Sequence, residues 1–92
     1  MSVAAKQGQL TIVNKLGLHA RAASKFVGLA NKYECEVWLA VEDREVNAKS
    51  ILGVLMLAAA KGTQVTLRCE GGQAEQAYDA LAALVAEGFG ET

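Results

Sequence analysis

The chain has 92 residues, 52% of them hydrophobic and 21% charged, a globular composition at the size of one small domain, since compact domains commonly run to ~100–150 residues. Nine basic against ten acidic side chains leave a net charge of −1, so no global field draws the chain onto nucleic acid or anionic lipid. The longest apolar run, Ile51 to Ala60, is about half of the ~20 residues a membrane-spanning helix needs, and two cysteines with one histidine complete neither a disulfide scaffold nor a zinc site.

In chain order, Met1 to Gly8 is small and polar and is expected to fray, within a single domain covering residues 1–92. Met1 to Gln9 lacks the hydrophobic stretch of a secretion signal, which favours a cytoplasmic location. Gln9 to Lys15 alternates, Leu10 and Ile12 against Thr11 and Val13, and predicts a strand. The period changes at His19: Ala23, Phe26, Val27 and Ala30 recur at helical spacing and predict a helix from Ala20 to Lys32. Cys35, Val37, Leu39 and Val41 alternate with Glu34, Glu36, Trp38, Ala40 and Glu42 as a second strand, Glu42-Asp43 is a hairpin turn, and Arg44 to Ala48 returns as a third. Ser50 suits the N-cap of a second helix over Ile51 to Leu57, which Lys61-Gly62 would close. Thr63 to Glu70 is a fourth strand with Val65, Leu67 and Cys69 inward, and Ala74, Ala77, Tyr78, Leu81, Leu84 and Val85 form one face of a last helix ending near Gly88. The order β-α-β-β-α-β-α packs most economically as an α+β open-faced two-layer sandwich, one four-stranded antiparallel sheet with all three helices on one face.

Gly17-Leu-His-Ala-Arg21 lies where strand period gives way to helix period. A histidine there stands beside backbone N–H groups that lack intrahelical partners, and the positive helix end disfavours imidazolium. A neutral ring offers a lone pair for nucleophilic attack, and an anion placed on it would meet free N–H groups and the Arg21 guanidinium. Spacing alone favours the plainer reading, an exposed polar residue capping a helix, with Arg21 as a solvated neighbour.

Asn14-Lys-Leu-Gly-Leu-His-Ala-Arg21 resembles the active-site signature of the histidine-containing phosphocarrier (HPr) family of the bacterial phosphoenolpyruvate-dependent phosphotransferase system, and Ala48-Lys-Ser-Ile-Leu-Gly-Val54 followed by Lys61-Gly62 is similar to the family's second segment. The resemblance runs from Gln9 to Phe89. It implies a carrier rather than a self-sufficient enzyme, needing no metal or cofactor: His19 takes a phosphoryl group on Nδ1 from enzyme I, Arg21 assists, and an enzyme IIA protein or domain receives it. The family usually has proline after the arginine, where this chain has Ala22. Ser50 matches the serine that a dedicated kinase/phosphorylase modifies in many members, and is equally what a helix N-cap looks like.

The second helix carries more apolar residues than one buried face accepts, so part of it is expected outside, beside His19, because both helices begin at the same end of the sheet in the family. Ala20, Ile51, Leu52 and Val54 are the candidate docking residues, with Lys25, Lys49 and Lys61 as a rim that steers acidic partners. Cys35 and Cys69 are expected as reduced near neighbours in the core, and Trp38 faces outward in a role the sequence leaves open. A monomer without nucleic-acid binding or membrane insertion is expected. Asn-Lys-Leu-Gly and Gly88-Phe89 also occur in carriers of the nitrogen-related branch (NPr), whereas Lys49-Ser50-Ile51 leans towards kinase-regulated carriers. The rival from another class is a non-catalytic α+β protein- or RNA-binding module, disfavoured by one sheet aromatic and the charge of −1.

Overall fold

The computed structural model describes residues 4–91. Strand β1 (Ala5–Thr11) leads into helix α1 (Ala20–Ala30), the hairpin β2 (Glu36–Val41) and β3 (Arg44–Asn47), helix α2 (Ile51–Met56), strand β4 (Gln64–Glu70) and helix α3 (Ala74–Ala86). A 3-10 turn, Gly88–Gly90, follows. The strands lie in the order β1-β4-β2-β3, every neighbouring pair antiparallel, as the sequence pattern predicts.

Period-two alternation decides which side of each strand is covered. Val37 and Leu39 of β2 and Val65, Leu67 and Cys69 of β4 are buried against Phe26, Val54, Leu81 and Val85 of the helices in one core. With 17 alanines in the chain, that core rests on a few large side chains and on close approach of small ones, among them Ala22, Ala23 and Ala30 of α1. The opposite sheet face is polar. There Trp38 pairs across strands with Arg68, whose guanidinium lies 5.4 Å from the ring centroid and is held by Glu45 and Glu70. Trp38 is therefore a cross-strand packing residue, and a cation already covers it.

The structure corrects several sequence expectations. Residues 5–8 do not fray: β1 begins at Ala5 and pairs with β4 from Ala5↔Glu70 to Thr11↔Gln64, because the ladder and not side-chain polarity sets its length. Residues 1–3 of the expected frayed segment lie outside the described residues. Helix α2 stops at Met56, whose carbonyl accepts from Arg44 Nη1 at 3.1 Å, and Ala58 turns left-handed at φ 49°. Lys61-Gly62 is thus the turn entering β4 and not the end of a helix. Cys35 lies just before β2 and is half-buried, while Cys69 is buried; both thiols are free.

Helix α2 also runs opposite to α1. Asn31, at the end of α1, donates to the Lys49 carbonyl before α2, and Leu18, before α1, donates to the Ala59 carbonyl after α2. The two helices therefore start at opposite ends of the layer, and the expectation that both begin beside His19 fails.

Two consequences are measurable. Gly17 has φ +66°, and an added Cβ would lie 2.4 Å from the Ala59 carbonyl oxygen. Gly17→Ala meets both left-handed strain and a backbone clash, so denaturant unfolding should show a loss of about 2–4 kcal/mol. The Cys69 thiol is pushed up to about 11, by burial first and by the neighbouring Cys35 second. The unfolded thiol ionises first as pH rises, so the contribution is full below about pH 9 and is lost as pH rises to about 11. Unfolding midpoints measured across that window should decline less steeply in Cys69→Ala.

Candidate functional site

The site is built where β1 gives way to α1. Ile12 is buried and tied on both sides, its N–H to the Thr63 carbonyl and its carbonyl to the Gly62 N–H. The chain then reverses: Gly17 N–H donates to the Asn14 carbonyl, and Asn14 Nδ2 donates back to the Gly17 carbonyl at 2.8 Å. Leu18 is buried, with its N–H on the Ala59 carbonyl at 2.8 Å. His19 follows in extended backbone (φ −74°, ψ 177°) as the N-cap of α1. Its carbonyl accepts from Ala23, and its Nδ1 accepts from the Arg21 N–H at 3.3 Å. The ring that caps the helix thus also presents its Nδ1 at the entrance to α1.

An N–H pointing at Nδ1 requires a lone pair on that atom. The other nitrogen, Nε2, bonds the Glu91 carboxylate. Glu91 is brought back to the ring by the 3-10 turn, in which Phe89 is fully buried in a left-handed conformation (φ 59°, ψ 24°). That conformation costs of order 1–2 kcal/mol, while burying a phenylalanine contributes about 2–3 kcal/mol, so packing wins. Lys25 Nζ fastens the turn by donating to the Phe89 carbonyl at 2.8 Å. The second Glu91 oxygen accepts from Asn14 Nδ2 at 2.8 Å. Asn14, and then His19, hold the Glu91 carboxyl below the usual carboxylate range.

These groups line an open cleft of about 990 Å³ that also takes in Val13, Leu16, Ala20, Lys15, Arg21, Lys25 and Lys61. Ala20 and Arg21 are exposed at its edge. Ile51 and Leu52 are exposed (41% and 70%), and so are Leu16 and Met56 (68% and 66%), which were not anticipated. Val54 is no docking residue: it is wholly buried, facing inward from α2. Lys49 is not part of the rim at His19, because its Nζ donates to the Tyr33 carbonyl beyond the far end of α1. Lys25 keeps its place near the ring but spends a hydrogen bond on the strap, and Lys61 lines the cleft as expected. Ser50 caps α2, accepting from the Gly53 N–H at 3.3 Å.

Asn14 and Glu91, the two residues that bond to each other beside the His19 ring, are among the site residues that sequence reasoning did not assign, with Lys15 and Leu16 of the cleft wall. Asn14 stood inside the quoted signature without a role. Glu91 had no signal in spacing or pattern, because its place depends on Phe89 entering the core.

Known proteins share this sequence pattern and this fold. A family profile described as "PTS HPr component phosphorylation site" matches residues 6–87. The phosphocarrier protein HPr of Cupriavidus necator is 51% identical over 92% of this chain and 96% of its own. The phosphocarrier protein NPr of Shewanella violacea is 45% identical over 90% of this chain and 91% of its own. The crystal structure of HPr-C-His from Thermoanaerobacter tengcongensis superposes with a TM-score of 0.91 at 41% identity, covering 95% of this chain and 98% of that one. A four-stranded antiparallel sheet, a histidine capping the first helix and these likenesses over nearly the whole length place the chain in the HPr family of phosphocarriers of the phosphotransferase system.

Proposed function

We propose that His19 is the phosphoryl acceptor of this carrier, charged by phospho-enzyme I and discharged to an enzyme IIA protein or domain in the cytoplasm. The observation that carries the reading is the Arg21 N–H aimed at His19 Nδ1, which marks that nitrogen as holding a lone pair at the mouth of an open cleft. Phosphoryl transfer is mostly positioning plus charge stabilisation, because the transferring group is loosely bonded to both partners at the transition state. The N-terminus of α1 and the cations Lys15, Arg21, Lys25 and Lys61 supply positive potential around that group. Exposed Leu16, Ile51, Leu52 and Met56 supply apolar area for transient partners. No row of stacking aromatics supports RNA binding, since the sheet aromatic Trp38 lies under Arg68.

Incubation with enzyme I and phosphoenolpyruvate should add one acid-labile phosphate, read by intact mass spectrometry. His19→Ala should abolish that gain, and label persisting in the variant would move the acceptor elsewhere.

Ser50 is proposed as a target of a dedicated kinase/phosphorylase as well as a helix cap. Its exposure and its place just before the exposed pair Ile51 and Leu52 support this. Ser50→Ala should lower stability by about 1 kcal/mol through loss of the cap. Ser50→Asp still caps the helix but sets a negative charge against the docking surface, so transfer from enzyme I should slow in a folded protein. Unchanged kinetics in Ser50→Asp would leave Ser50 with the capping role alone.

A further inference from the structure

The two nitrogens of His19 are engaged from opposite directions, and the pattern fixes where the ring proton resides. Arg21 N–H donates to Nδ1, so Nδ1 carries no proton. The carboxylate of Glu91 accepts only, so the proton belongs on Nε2, between ring and carboxylate. Glu91 is itself held: one oxygen is bonded by Asn14, a buried residue whose amide also clamps the Gly17 carbonyl of the loop carrying His19. The buried Phe89 and the Lys25 bond to its carbonyl fix the backbone that presents Glu91. Carboxylate, imidazole and orienting amide form a supported row that ends on the nucleophilic nitrogen.

We propose that Glu91 is a positioning residue for phosphoryl transfer, holding the proton on His19 Nε2 so that Nδ1 presents its lone pair to phosphorus. The inference rests on His19 being the phosphoryl acceptor. In the charging step a bond forms between Nδ1 and phosphorus while the donor's bond to phosphorus breaks. The electron pair of the broken bond returns to the donor, and the proton stays on Nε2. The ring becomes a phosphoimidazolium, and its positive charge faces the Glu91 carboxylate. In the discharging step the same proton lets the ring leave as neutral imidazole; without it the leaving group would be an imidazolate anion. Glu91 thus serves both directions without touching the transferred group, which is bound at the opposite ring nitrogen. Like-charge repulsion between carboxylate and phosphoryl opposes this arrangement. The carboxylate is nearer to the imidazolium than to the phosphoryl group, and Lys15, Arg21, Lys25 and Lys61 line the same cleft, so attraction prevails.

Glu91→Gln removes the charge and keeps the size, and two readouts on the full chain test the assignment. Imidazole 15N shifts of the unphosphorylated protein, taken where the ring is neutral, should show the Nε2–H tautomer in the wild type and a mixture of tautomers in Glu91→Gln. Transfer from phospho-enzyme I should fall about tenfold in kcat, with little change in KM, since no docking residue is altered. A wild-type Nδ1–H tautomer, an unchanged tautomer in the variant, or a shifted tautomer with unchanged kcat would each overturn the proposal. A fall in transfer through KM alone would also overturn it, by making Glu91 a docking residue. If neither protein accepts phosphate from enzyme I, the acceptor reading fails and takes the proposal with it, whereas failure in the tautomer shifts alone leaves the acceptor reading intact.

Discussion

The hydrogen bond from the Leu18 N–H to the Ala59 carbonyl is the contact on which the site depends. It joins the segment entering α1 to the segment leaving α2, and it is possible only because Gly17, in the left-handed region, lets the backbone come within reach. A side chain at residue 17 would press on Ala59, and the whole entry to α1 would have to move. His19 is one residue beyond this anchor, so the point at which its ring is attached is set by backbone geometry before any partner arrives. The antiparallel course of α2 follows from the same bond, since the exit of α2 must lie where α1 begins.

Period-two and helical patterning made nearly all of the secondary structure legible in the sequence, because each strand and helix has one dry side and burial leaves a mark at every second or every third to fourth residue. Val65, Leu67 and Cys69 are buried as the alternation of β4 requires, and Ser50 caps α2 as its place before an apolar run requires. The failures have a common physical origin. Val54 looked available because Ile51 to Leu57 exceeds one apolar face, but composition does not say which of those side chains turns inward. Lys61-Gly62 looked like a helix end because basic-then-glycine fits one, yet Ala58 had already ended the helix from a position no propensity marks. The direction of α2 depends on loop geometry, which periodicity does not encode. The placement of His19 and Arg21 at the entrance to α1 was readable through the strand-to-helix junction, whereas the place of Glu91 depends on a contact 72 residues away in sequence.

The exposed apolar side chains and the polar sheet face divide the surface by task. Leu16, Leu52 and Met56 are each about two-thirds exposed, while Arg68, Glu45 and Glu70 cover the aromatic on the other side of the sheet. A small domain with an alanine-rich core gains little by leaving leucine and methionine in water, since each would contribute about 1.5–3 kcal/mol if fully buried. Their exposure is consistent with surface kept for binding, and of these three only Leu16 lines the cleft at the histidine.

The replacement of the family's usual proline by Ala22 fits the same division of labour. A proline there would restrain the first turn of α1 through its ring, by fixing φ. Ala22 gives up that restraint, and its methyl group is fully buried against the core. Restraint on the histidine then falls to groups outside the helix: the Leu18–Ala59 bond behind the ring, and the Asn14–Glu91 pair at its far nitrogen. A backbone restraint fixes where the ring is attached but leaves rotation about its side-chain bonds free. A carboxylate on Nε2 limits that rotation and also selects the tautomer. The C-terminal strap therefore supplies something that a proline in α1 would not, and this chain can keep an ordered histidine ring with alanine at the turn.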